Sequence, residues 1–153
     1  MVSNPYMHII GEFLSAQDAI SKTSFASFLL DNGCFYRPSP LEPDVIPGEP
    51  RECYKNATTL AVEYPDRYIY CEGYAVCEGI PIPIEHAWVV DRTRKNVVVD
   101  NTWTDNKGVA YFGVEIELEK LVERLAEQGL YGYFYMPNSW INQDEKVLTL
   151  ESK

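Results

Sequence analysis

Between positions 66 and 116 the chain spells four strand-like words in succession: DRYIYCEGYAVC, IEHAWVVD, NVVVDNTW and VAYFGVEI. Each is rich in β-branched and aromatic residues, which suit a half-buried pleated surface. The second and third are joined only by the polar turn RTRK. A connection that short returns the chain antiparallel, because a parallel pair needs a crossover. Gly73, inside the first word, predicts a kink in that strand.

Helices are expected on both sides of this run. Ser15 and Asp18 stand at capping-box spacing and predict a helix through AQDAISKTSFASFLLDN, closed by Gly33. The following CFYRPSPLEPDVIPGEP holds five of the ten prolines and predicts an extended loop. RECYKNATTLAVEYP predicts a second helix, with Pro50 suited to its first turn and Pro65 closing it. In ELEKLVERLAEQG, Leu118, Leu121, Val122 and Leu125 recur at helical spacing before Gly129. LYGYFYM is compatible with a last strand, and the tail after Pro137 carries no assignment. The expected class is α+β, an antiparallel sheet packed against N-terminal helices, and 153 residues fit one domain, 1–153.

The net charge of -10 argues against nucleic acid or an anionic membrane surface as partner, since both require clustered Lys and Arg. The acidic residues are dispersed, as solubility alone requires. No apolar run approaches the roughly 18 residues of a membrane span, and the first residues lack the basic and apolar regions of a signal peptide. A cytoplasmic setting with reduced thiols is therefore expected for Cys34, Cys53, Cys71 and Cys77. None of the four forms a CxxC pair, and only His8 and His86 could join them, so a metal site is poorly signalled. No cofactor is expected.

The candidate chemistry begins at His86, set in a word that is otherwise core strand. A three-residue loop with Asp91 opposite Lys95 would bring His86 opposite Asp100, Trp88 opposite Val98 and Val90 opposite Asn96. Opposed residues share a sheet face. A loop one residue longer would substitute Asn101. An acid so placed would orient the imidazole and stabilise its charged form. Cys53 supplies a nucleophile. It is expected near the fourth position of the second helix, where the helix start favours a thiolate, and it opens the stripe Cys53, Ala57, Leu60, Tyr64. Taken singly, each has an ordinary explanation: a satisfied core histidine, and a small core cysteine. Cys34, Cys71 and Cys77 are assigned structural roles.

The words CYKNATTLA, YCEGYAV, EHAWVVD and VVVDNTW together resemble the core of the transglutaminase-like branch of the papain-like thiol enzymes. The resemblance spans residues 51–103 and is strongest in HAW and VDNTW. It departs from the family in a short Cys-to-His interval and in Asn-Thr where Pro-Thr is often found. It implies a Cys53 nucleophile, a His86 base and an Asp100 orienting acid, acting by acyl transfer on an amide-bearing protein or peptide; hydrolysis or deamidation is expected over crosslinking because nothing in the sequence marks a dedicated amine site. One oxyanion donor would be the Cys53 backbone N–H; Tyr36 and Asn32 are candidates for the second. Loop 37–50, just upstream of Cys53, is a candidate lid. Glu72 is expected as an exposed strand carboxylate, Trp88 as either a groove wall or core, and Trp103 and Trp140 have no assigned role. The competing expectations are another papain-like peptidase with the same three residues, and a non-catalytic acidic binding module that occupies a protein partner.

Overall fold

The computed structural model describes residues 4–105 and 107–134. Helix α1 (Pro5–Ile20) starts at Asn4, whose side chain accepts from the Tyr6 N–H and donates to the Val109 carbonyl. Helix α2 (Phe25–Asn32) starts at Ser24, whose Oγ accepts from the Ser27 N–H at 3.1 Å, and stops at Gly33. The first helix begins at Pro5, so Ser15 lies inside α1 instead of capping it, and the single expected helix is thus two. The segment Ser-Lys-Thr-Ser at 21–24 interrupts it, because hydroxyls there satisfy local backbone and one another: Ser21 Oγ lies 3.2 Å from Thr23 Oγ1. Asp18, expected to complete a capping box, instead accepts from Lys22 Nζ at 2.7 Å.

The chain leaves Gly33 directly into strand β1 (Cys34–Tyr36), where a loop was expected. Helix α3 (Cys53–Glu63) follows the proline-rich segment. Strands β2 (Tyr68–Cys77) and β3 (Ile80–Asp91) form a tight hairpin through Gly79, at φ 84°. Strand β4 is only Val98–Val99, β5 is Gly108–Ile116, and α4 (Leu118–Gln128) ends on left-handed Gly129. Residues 130–134 carry no strand, against expectation for LYGYFYM; the rest of that word, Trp140 and the tail lie outside the described residues. The mixed α+β class holds.

The sheet order is β1-β5-β2-β3-β4, with each neighbouring pair antiparallel. Its irregularity lies between Ala75 and Cys77, not at Gly73. Gly73 has a different task. It faces Gly113 of β5, and a Cβ there would lie 2.0 Å from the Phe112 carbonyl oxygen, so only glycine lets the two strands approach.

The two sheet edges meet. Arg37, just past β1, bridges Val97 in parallel, with the Arg37 N–H donating to the Asn96 carbonyl and the Val98 N–H to the Arg37 carbonyl. The curled sheet has two apolar faces. Helix residues Leu14, Phe25, Leu29, Ala57 and Leu60 cover one, against Tyr70, Ala87, Val89 and Phe112. The other encloses Tyr36, Cys71, Ala75, Trp88, Val90, Val98 and Tyr111, with no helix residue among them. Burying each large side chain contributes on the order of 1.5–3 kcal/mol. Trp88, 1% exposed, is therefore core rather than an open groove wall.

Candidate active site

The β3–β4 register differs from the expected one by two residues: Val90 faces Val98 and Val89 faces Val99. The connection is longer because Asp91 Oδ1 accepts from both the N–H and the hydroxyl of Thr93, and Asn96 takes a left-handed φ of 55°. Continuing this register sets position 100 level with Trp88, one diagonal step from His86. A shift of two preserves the face, whereas a shift of one would have inverted it. His86 Nε2 accordingly lies 2.9 Å from Asp100 Oδ2, with the residues 2% and 6% exposed. The alternative partner, Asn101, points instead to the Asn56 carbonyl.

The Asp100 carboxylate is held on every side. Oδ1 accepts the backbone N–H groups of Thr102 and Trp103 at 2.9 and 3.0 Å, and Oδ2 accepts the Tyr111 hydroxyl at 2.7 Å as well as the imidazole. Burial opposes its ionisation, but the charge and hydrogen bond of His86, then Tyr111 and the Trp103 N–H, hold its pKa below the ordinary carboxylate range. For His86 the largest influence is also burial, which disfavours the imidazolium. The Asp100 charge and hydrogen bond, followed by Cys53 acting as hydrogen-bonding neighbour and charge, outweigh it and raise the pKa to about 9.

Cys53 therefore belongs to the same group as His86 and Asp100. Nε2 is committed to Asp100, which leaves Nδ1 as the imidazole nitrogen outside that bond. Cys53 is the first residue of α3, three places earlier than expected, and is partly exposed. Ala57 and Leu60 of its stripe are buried, while Tyr64 caps the helix and is half exposed. Glu52 makes no side-chain cap, so its carboxylate does not offset the positive end of α3. Arg51, two residues before Cys53, has φ 66°, a strained region for a non-glycine residue.

Trp103 and Tyr111 were not singled out from the sequence. Trp103 lies flat on His86, with ring centroids 3.9 Å apart and planes 15° apart. Its place three residues after Asp100, within VDNTW, was the available signal. Tyr111 arrives from β5, and nothing local marks it. Asn56 was also missed. Its amide donates to the Glu49 carbonyl and to Thr102 Oγ1, each at 2.8 Å, and its Oδ1 accepts from the Glu49 N–H. One side chain thus bolts the Cys53 helix to the turn carrying Asp100 and to the end of loop 37–50.

Other expectations need correction. Asn32 donates to the Phe28 carbonyl, and Tyr36 meets Trp88 edge-on inside the curled sheet, so neither is directed at Cys53 as an oxyanion donor. Glu72 is not exposed but 1% accessible; it accepts from the Tyr70 hydroxyl, the Phe134 N–H and the Tyr133 N–H, and so pins the segment after α4. Burial raises its pKa despite those bonds and the Arg124 charge. Cys71 is buried, Cys34 exposed and Cys77 intermediate. Among the described residues no group of three or more His, Cys, Asp or Glu is placed to hold a metal, and no helix is long and apolar enough to cross a membrane. Compared with protein-family models, characterised proteins and solved structures, the chain matches none.

Proposed function

We propose that the chain is a thiol-dependent acyl-transfer enzyme of transglutaminase-like type, acting in the cytoplasm on an amide of a protein or peptide. One observation carries this reading: a buried imidazole is bonded at one nitrogen to a buried aspartate, and a cysteine at a helix start lies near enough to favour its charged form. Position, orientation and charge are the requirements of a thiol nucleophile with its acid–base partner.

In this mechanism the Cys53 sulfur attacks the carbonyl carbon, and the developing oxyanion is met by first-turn N–H groups of α3. The C–N bond breaks as His86 gives its proton to the departing amine. A water molecule, deprotonated by His86, then cleaves the thioester, releasing the acid and restoring the thiol. Asp100 stays ionised and stabilises the imidazolium, and the Trp103 face, against the charged ring, adds to this. Water as the second acceptor makes the outcome hydrolysis or deamidation.

The non-catalytic alternative, an acidic module that occupies a protein partner, is favoured by one feature: Trp103 covers an imidazole that is only 2% exposed. Iodoacetamide labelling of the four cysteines, resolved by mass spectrometry from about pH 4 to 9, separates the two. The catalytic reading expects Cys53 to be alkylated fastest, by roughly tenfold over exposed Cys34, and His86→Ala to abolish that lead. Equal rates in both chains would discard it and favour the binding module.

A further inference from the structure

We propose that Tyr111 is a positioning residue of the buried pair, its hydroxyl sharing Asp100 Oδ2 with His86 and loosening the hold of that oxygen on the imidazole proton. The two donors reach the same oxygen, Tyr111 at 2.7 Å and His86 at 2.9 Å. The orientation of the carboxylate is already fixed at Oδ1 by two backbone N–H groups, so the phenol is not needed for that. Its distinct effect falls on the charge of Oδ2, where each donor weakens what the oxygen offers the other.

The phenol is built into this place. Tyr111 stands opposite Ala75 of β2, a side chain small enough for the ring to pass over, and it packs edge-on to Trp88 at 5.1 Å. At Gly108 a Cβ would lie 1.8 Å from the Tyr111 oxygen, so the chain keeps the hydroxyl's space empty of any other side chain. The titratable groups about His86 are Cys53 from α3, Asp100 from the turn after β4 and Tyr111 from β5; Trp103 lies flat on the ring, and β2 presents Gly73 opposite it. For the proposed reaction, a tempered pair keeps the imidazolium able to release its proton to a leaving amine.

The chain has two histidines, His8 and His86, so both can be titrated by NMR with assignments from His8→Gln. Tyr111→Phe keeps the ring and removes the competing donor. The His86 midpoint is then expected to rise by roughly half a unit to one unit. A purely structural tyrosine would leave the midpoint in place, and an unchanged or lowered midpoint overturns the proposal. If Tyr111→Phe does not fold, the unaltered chain decides. A Tyr111 hydroxyl proton in slow exchange, with a cross-peak to the His86 Nε2 proton, supports the shared oxygen, and absence of that cross-peak overturns it.

Discussion

At the scale of single residues, the His86–Asp100 pair couples charge to folding. The folded pKa of His86, about 9, lies above its ordinary value of 6.5, so its contribution to stability is complete below pH 6.5 and is lost as pH rises through about 9. The full loss is on the order of 3 kcal/mol. Asp100, held low, contributes in the opposite sense: its share is present above its ordinary pKa and disappears as acid protonates the folded form. Asp100→Asn removes the attraction and leaves burial as the main influence on His86. The imidazole is then expected neutral in the fold. The alkaline loss should vanish, replaced by a loss below about pH 6.5, where the unfolded histidine gains a proton that the folded one refuses. Urea unfolding of both chains at about pH 5, 6.5 and 9.5 checks this. The same alkaline drop in both chains would mean the pair is not what sets it.

At the scale of elements, loop 37–50 is more firmly anchored than its prolines suggest. Arg67, at the foot of β2, donates to Asp44 Oδ2 at 2.8 Å and to Glu42 Oε2 at 2.9 Å. Val45 is buried, and the Gly48 N–H donates to the Asn101 carbonyl. Exposed ion pairs contribute less than about 1 kcal/mol each, so Arg67→Ala should scarcely alter global stability. It should free the middle of the loop locally, accelerating proteolytic cutting between 40 and 46 severalfold while leaving α3 intact. Unchanged cutting would place the anchor at Asn56 and Val45 instead. Elements were legible in the sequence where one residue type dominates locally: Gly33, Gly129 and the apolar spacing of α4; Pro50, expected in the first turn of α3, instead precedes that helix. They were illegible where competing local bonds decide. Three hydroxyls at 21–24 split one helix into two, and an Asx turn at Asp91 lengthened a hairpin by two residues. The His86–Asp100 pairing survived that error only because a register shift of two keeps both side chains on one face.

At the scale of the whole molecule, sheet closure was the least legible feature, since it depends on Arg37 meeting Val97 across 60 positions of sequence with no local signal in either. The same non-locality hid Tyr111, and it made Trp88 ambiguous between groove and core. Trp88 is the largest fully buried side chain, and its Nε1 has no hydrogen-bond partner among the described residues. These two facts act in opposite directions on substitution. Trp88→Ala empties the middle of the curl and should cost about 3–5 kcal/mol, since strands bound edge to edge cannot collapse onto the void. Trp88→Phe leaves a smaller void and also removes a donor whose burial costs about 1–3 kcal/mol when unsatisfied. Its net cost is therefore expected below about 1.5 kcal/mol, with the His86 titration shifted little. Chemical unfolding of the three chains at pH 7 measures both numbers. Were Phe as damaging as Ala, the indole N–H would have to be bonded in solution, and the inner face would be a polar chamber rather than a packed core.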